Sequence, residues 1–107
     1  MKSKLTGNLT VMEPSFTDTV TQARDALLGR FHKVIEQLHA RVERPDGSNM
    51  SACEVALELP GGVHIYGRHR DTEPERAIYK AFSRAAGELR RHLGRRRRQA
   101  IAAIRSA

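Results

Sequence analysis

Alternation of apolar and polar residues along the chain predicts four β-strands. In the first, Leu5, Gly7, Leu9 and Val11 share one parity, and in the third the apolar positions alternate with Glu54, Ala56 and Glu58. The predicted strands cover residues 4–12, 35–42, 53–59 and 63–70. The last three strands are joined by loops rich in Gly, Pro and Asp, which favour tight antiparallel connections.

Two segments instead carry apolar residues at intervals of three and four, which predicts amphipathic helices. The first stripe consists of Phe16, Val20, Ala23, Leu27 and Phe31, with Ser15 as the expected N-cap. The second consists of Ile78, Phe82, Ala85 and Leu89, after a start at Asp71 to Pro74. Gly94 either ends this second helix or only weakens it, and residues 100–107 either continue it or fray.

The predicted order is therefore β-α-β-β-β-α, a two-layer α+β sandwich. Both helices should cover one face of a four-stranded sheet and leave the other face in water, as in double-stranded-RNA-binding domains. The first two strands, joined through a helix, should be parallel. We expect residues 1–99 to form the domain and residues 100–107 a C-terminal tail.

Length and composition narrow the class of protein. A chain of 107 residues is the size of one domain. It has one cysteine and no apolar run approaching the roughly 18 residues of a membrane span. We therefore expect a cytoplasmic protein, without a signal peptide, that is neither a membrane protein nor a disulfide scaffold.

The net charge of +7 is concentrated in the last third of the chain. Residues 76–107 contain ten basic side chains and one acid, Glu88, whereas residues 1–75 contain nine basic and eleven acidic groups. Fifteen of the 19 basic residues are arginines, whose guanidinium groups bind phosphate in a bidentate fork. This asymmetry indicates contact with nucleic acid or another anionic surface, although a solvated helix face remains the plain alternative.

The sequence shows no constellation typical of catalysis. Its five histidines have no metal-ligand spacing, and Cys53 stands at an inward strand position as a buried apolar residue. We expect no enzyme activity, cofactor, metal or small-molecule substrate. Aromatic residues make up 5%, and only Tyr66 is a candidate for base stacking on the sheet. Recognition of RNA backbone and shape is therefore favoured over stacking of single strands.

In order, length and local features, residues 5–99 resemble the ribosome hibernation promoting factor and ribosome-associated translation inhibitor family, in its short, sigma-54 modulation protein-like form. The resemblance rests on the strand ending at Glu43, the third strand with its Pro-Gly-Gly turn, and the fourth strand ending at Asp71. It also rests on the Ala77-Ile78 step, on Leu89 and on the basic end of the last helix. Where many members carry Tyr and Asp around that step, this chain has Glu75 or Arg76 and Tyr79.

The resemblance implies a bacterial, stress-related factor that binds ribosomal RNA of the small subunit and blocks the mRNA and tRNA channel. The sequence leaves the oligomeric state open, and we expect a monomer when the protein is free. It places the RNA-binding residues on both helices, with phosphate neutralisation as their role. The implied set is Arg24, Arg30, Lys33, Lys80, Arg84, Arg90, Arg91, Arg95, Arg96, Arg97 and Arg98. Arg68 and Arg70 on the fourth strand are either further contacts or ordinary exposed charges.

Two other functions stay open at this stage. A general double-stranded-RNA-binding module has nearly the same topology, but its last helix usually begins with lysines. Here that helix begins with Glu73-Pro74-Glu75, which would repel phosphate. A protein-interaction regulator with an incidental basic tail would keep its function after replacement of Arg95 to Arg98.

Overall fold

The computed structural model describes residues 1–8 and 13–106. Leu9 and Val11 of the predicted first strand lie outside the described residues. The strands are β1 (Lys2–Thr6), β2 (Gln37–Glu43), β3 (Ser51–Leu59) and β4 (Val63–Asp71). The helices are α1 (Ser15–Leu28), followed by a 3₁₀ turn (Gly29–Phe31), and α2 (Pro74–Ser106).

The strands form one sheet in the order β1-β2-β3-β4. β1 is parallel to β2, and the other two pairs are antiparallel. Along β3 every second residue is buried, from Ser51 to Leu59, and the residues between them face the opposite side. The predicted α+β sandwich is thus confirmed, and β1 and β4 are the two edges of its sheet.

β1 is shorter than the predicted strand and begins earlier. It ends at Thr6, because Gly7 takes a φ of 110° and lies directly against the backbone of Val42. A Cβ at Gly7 would come within 2.1 Å of the Val42 carbonyl oxygen. The Asn8 side chain then bonds to the residue that follows β2: its amide nitrogen donates to the Arg44 carbonyl (2.7 Å), and its amide oxygen accepts from the Arg44 N–H (2.9 Å).

The core lies between one face of the sheet and the two helices. α1 buries Phe16, Val20, Ala23 and Leu28, while Leu27 of the predicted stripe is only partly buried. Ser15 is the first helical residue rather than the N-cap, and Pro14 before it already has helical φ and ψ. Since no side-chain hydrogen bond caps α1, tertiary packing rather than a cap holds its start.

Contacts at its start and in its middle fix α2 on the sheet. Asp71 Oδ1 accepts a hydrogen bond from the N–H of Glu73 (3.0 Å), which sets the turn into the helix. Gly67 of β4 lies under the helix: a Cβ there would come within 2.2 Å of the Ala81 carbonyl oxygen. α2 therefore packs backbone to backbone on β4 and runs antiparallel to it.

α2 is much longer than the sheet that supports it. Its 33 residues span about 50 Å, whereas the nine residues of β4 span about 30 Å. Leu93 is the last side chain that packs against the core, and residues 95–104 are all exposed. Gly94 does not end the helix, so residues 94–106 form a helical overhang beyond the sheet.

Candidate nucleic-acid interface

A line of cations runs along the solvent side of α2, above the edge of β4. Lys80, Arg84 and Arg91 are exposed and lie within about 40° of one another around the helix axis, at 3.6 residues per turn. We call these three residues the basic strip. Arg95 and Arg98 extend its line into the overhang. The predicted site residues of α2 thus fall largely on one side of the packed helix, and Arg90 is exposed on another side.

Beside the basic strip lies an open groove of about 540 Å³ between α2 and β4. Ser83 and Gly87 leave room on the helix side, and the groove is further lined by Tyr66, Gly67, Arg68, Arg84, Glu88 and Arg91. Arg84 Nη1 donates to the carbonyl oxygen of Arg68 at 2.9 Å, so a helix side chain covers the edge of the sheet. Arg91 is paired with Glu88 one turn earlier.

A second set of cations lies at the end of the molecule from which the overhang projects. The chain enters β2 there after the 3₁₀ turn, so Arg30 and Lys33 share this end with the C-terminal part of α2. Both are exposed, and the Arg30 guanidinium lies 4.8 Å from the centre of the Phe31 ring. The topology therefore gathers the basic residues that end both helices.

Arg24 does not join either set. Its Nη1 donates to Ser3 Oγ of β1 (3.2 Å), and its Nε donates to Asp25 Oδ1 (3.0 Å). β1 is the edge opposite β4, so the body of the sheet separates Arg24 from the basic strip. Arg24 is therefore held in local contacts, as Arg84 and Arg91 are, but at the opposite edge of the sheet.

The overhang carries four successive arginines, Arg95 to Arg98, which we call the arginine collar. All four are exposed, and none of their side chains makes a hydrogen bond or an ion pair with a described residue. Because successive helical residues are about 100° apart, their side chains sweep roughly 300° of the helix circumference. The collar is therefore basic on all sides, unlike the one-sided basic strip.

The opposite end of the molecule is acidic. Asp71, Glu73 and Glu75 surround the first turn of α2, and Asp18 lies in the first turn of α1 at the same end. Arg76 reaches Glu73 at 3.4 Å and Asp71 at 3.9 Å. The pKa of Asp71 is lowered chiefly by the hydrogen bond from the Glu73 N–H, with Arg76 and His69 contributing and burial opposing. Phosphate would be attracted to the far end of α2 and repelled from its start.

The strand register brings together three residues that sequence separation had hidden. Cys53 lies opposite His69 on neighbouring strands, and His69 Nε2 is 3.5 Å from Asp71 Oδ2. The order Cys, His, Asp resembles a nucleophilic triad. However, Cys53 is 1% exposed and burial raises the pKa of its thiol to about 12, so the thiol stays protonated. The prediction that Cys53 is a buried structural residue is confirmed.

The sequence did not reveal every contributor to the groove. Ser83 and Gly87 matter because they are small and stand one turn apart beside the basic strip. Their spacing of four residues was the available signal, but it indicates a groove only once β4 is known to lie beside this part of α2. The carbonyl of Arg68 as a partner for Arg84 had no sequence signal.

Other kinds of site find little support. Among residues 1–8 and 13–106, no group of three or more His, Cys, Asp or Glu side chains is placed to hold a metal ion. Neither described helix contains a segment long and apolar enough to cross a membrane. What the described surface does offer is a set of arginines and lysines open to an anionic partner.

Comparisons with solved structures agree with this fold. A ribosomal subunit interface protein from Coxiella burnetii superposes with a TM-score of 0.75 at 12% identity, over 88% of this chain and 99% of that one. The N-terminal domain of Thermus thermophilus Protein Y superposes with a TM-score of 0.69 at 20% identity, over 86% and 99%. No family model matches the sequence, and no curated protein does. The chain therefore shares the fold of these two proteins, and the resemblance predicted from its sequence is confirmed at the level of fold.

Proposed function

We propose that this protein binds the small ribosomal subunit, neutralises phosphates of ribosomal RNA with the basic side of α2 and the basic end of α1, and blocks the mRNA and tRNA channel as a hibernation factor. The observation that carries the proposal is the basic strip, which lies uncovered beside an open groove. The shared fold supports it, because one of the two matched structures is described as a ribosomal subunit interface protein.

The chemistry of the surface favours contacts with RNA backbone over the reading of bases. Arginines and lysines dominate the strip and the basic end, and Tyr66 and His64 are a single stacked pair on an edge strand, with ring centres 6.3 Å apart. Stacking platforms for single strands usually use several aromatic rings on central strands. Affinity should accordingly depend strongly on salt, since each phosphate contact releases counterions.

The test is co-sedimentation of the purified protein with small subunits, large subunits and a fully paired RNA duplex, over a range of salt concentrations. Saturable, one-to-one binding to the small subunit is the expected result. The variant Arg84→Ala/Arg91→Ala/Arg95→Ala should bind more weakly. A plot of the logarithm of the binding constant K against the logarithm of the salt concentration should also become less steep. Its slope should fall in magnitude by roughly three, about one per lost phosphate contact.

A matched control removes the same number of charges from other surfaces. Lys2 and Lys4 lie on the sheet face away from the helices, and Arg76 lies in the first turn of α2 at the acidic end; all three are exposed. The variant Lys2→Ala/Lys4→Ala/Arg76→Ala should keep the slope and affinity of the unmodified protein. Equal losses in both triple variants would show a mere effect of net charge and would count against an interface on α2.

The same experiment separates the alternatives. Equal affinity for the duplex and for the small subunit would identify a general double-stranded-RNA-binding module. The acidic start of α2 speaks against that function, because Glu73 and Glu75 stand where such a module needs cations. Absence of binding to every RNA would leave a protein-interaction role. If the small subunit is bound, inhibition of translation initiation in a reconstituted system tests the proposed block of the channel.

A further inference from the structure

The overhang of α2 has no structural role in the body that would account for its arginines. Beyond Leu93, no side chain of α2 up to Ile104 packs against the core. Ile101 is 41% exposed and Ile104 is 76% exposed, so the large apolar side chains of the overhang are open to solvent. The segment therefore presents a helix about 10–12 Å thick to the surroundings on all sides.

The angular spread of the arginine collar sets a condition on its ligand. A helix lying on a flat anionic surface uses the side chains of about half its circumference. The basic strip meets that condition, but the collar does not. Arg95 and Arg98 follow the line of the strip, whereas Arg96 and Arg97 point to the other side of the helix. Both pairs can meet phosphate at once only if phosphates stand on two sides of the helix.

A second copy of this chain fits the overhang poorly. The buried stripe of α2 ends with Leu89 and Leu93, and the next positions on that side are Arg96 and Arg97. Pairing two such helices would bury four guanidinium groups without acids to neutralise them, which is strongly unfavourable. In residues 94–104 the sequence contains no Asp or Glu. The charge of the overhang matches a polyanion instead.

We infer that residues 94–106 enter a cleft of folded RNA that has phosphates on two facing walls, with Arg95 and Arg98 on one wall and Arg96 and Arg97 on the other. The inference rests on the proposed function and names the shape of RNA that this part of the interface takes. The major groove of an uninterrupted A-form duplex is too narrow to admit a helix. The ligand is therefore a groove widened by unpaired nucleotides, or a gap between two RNA helices.

Two double variants test the inference, with isolated small ribosomal subunits as the probe. Arg95→Ala/Arg98→Ala removes one side of the collar, and Arg96→Ala/Arg97→Ala removes the other. Alanine and arginine are both strong helix formers, so circular dichroism should show unchanged helix content. Each pair should lower the slope of log K against log salt by roughly 1.5 to 2, and by the same amount.

Matched variants separate charge from position. Arg96→Lys/Arg97→Lys retains both charges and should keep most of the slope, whereas Lys2→Ala/Lys4→Ala removes two charges from the sheet face away from the helices and should change nothing. The inference is overturned if only Arg95→Ala/Arg98→Ala lowers the slope, because the helix would then contact phosphates on one side alone. It is also overturned if neither double variant lowers the slope. In both cases the unmodified protein still binds, so the proposed function survives; absence of binding by the unmodified protein would remove both.

Discussion

The two parts of α2 contain equal numbers of basic side chains but differ in what surrounds them. Residues 74–93 and 94–106 each contain five basic side chains. In the first part Ala77, Ile78 and Phe82 are buried against the sheet, and the cations are confined to the solvent side. In the overhang no face is buried, and the cations are distributed around the axis. Packing against the core, rather than the ligand, therefore produces the one-sided charge of the first part.

The two parts of α2 also contribute differently to the stability of the protein. The packed part buries apolar surface, which is the main favourable term in folding. The overhang buries almost none, so its helix depends on local hydrogen bonds and on the high helix propensity of Arg and Ala. We expect substitutions of the buried residues of the packed part to act on the free energy of unfolding, and those of the exposed cations in either part to act on affinity.

The largest expected difference in the free energy of unfolding is between substitutions of two apolar residues of α2. Phe82 is fully buried and Ile104 is 76% exposed. Phe82→Ala should lower the free energy of unfolding by about 3–5 kcal/mol because it leaves a cavity in the core. Ile104→Ala should change it by less than about 0.5 kcal/mol. Urea denaturation measures both, and a loss above about 1 kcal/mol in Ile104→Ala would mean that the overhang folds back on the body.

A smaller loss of stability is expected from a substitution at the contact between α2 and β4. A Cβ at Gly67 would lie 2.2 Å from the Ala81 carbonyl oxygen and 2.5 Å from the Ala85 nitrogen, and backbone atoms cannot rotate away. Gly67→Ala should destabilise the protein by about 3 kcal/mol, the upper part of the range for overpacking. Gly29→Ala is the matched control, because nothing lies within 4 Å of its added methyl group. A neutral Gly67→Ala would show that the helix is not in close contact with the strand.

The smallest expected loss of stability is at Asp71, before the start of α2, and it depends on pH. The pKa of Asp71 is lowered, first by the hydrogen bond from the Glu73 N–H and then by Arg76 and His69. A lowered pKa in the folded state stabilises the protein above the unfolded value of about 3.9, and this stabilisation is lost as the pH falls through the folded value. Asp71→Ala should therefore lower the Tm at pH 7 and have little effect in strong acid. An equal loss of Tm at both pH values would exclude the charge of Asp71 as the cause.

Alternation and helical spacing were sufficient to predict the four strands, the two long helices and their order. They failed at the end of β1, because Gly7 continues the parity of Leu5 while its backbone contact with Val42 ends the strand. No local pattern contains that contact. At Ser15 the sequence favoured a cap, but the turn at Pro14 is already helical.

The site was predictable where it depends on helical spacing and not where it depends on tertiary contacts. The intervals from Lys80 to Arg84 and Arg91 place these residues on one side of any helix, and the structure agrees. The contact of Arg24 with Ser3 needs β1 to lie beside α1, which spacing cannot reveal. The length of the overhang was left open at Gly94, since glycine inside a helix costs only about 1 kcal/mol.

The polarity of charge along the molecule has a consequence for how it meets a polyanion. The protein is 59 Å long and 22 Å across, with acids around the start of α2 and arginines towards its end. At physiological ionic strength a charge is screened beyond about 8 Å, so an approaching phosphate surface senses only the nearer end. An encounter with the acidic end is repelled, and one with the arginine end is attracted. Productive collisions thus begin with the molecule already oriented, and only a short rotational search remains before docking.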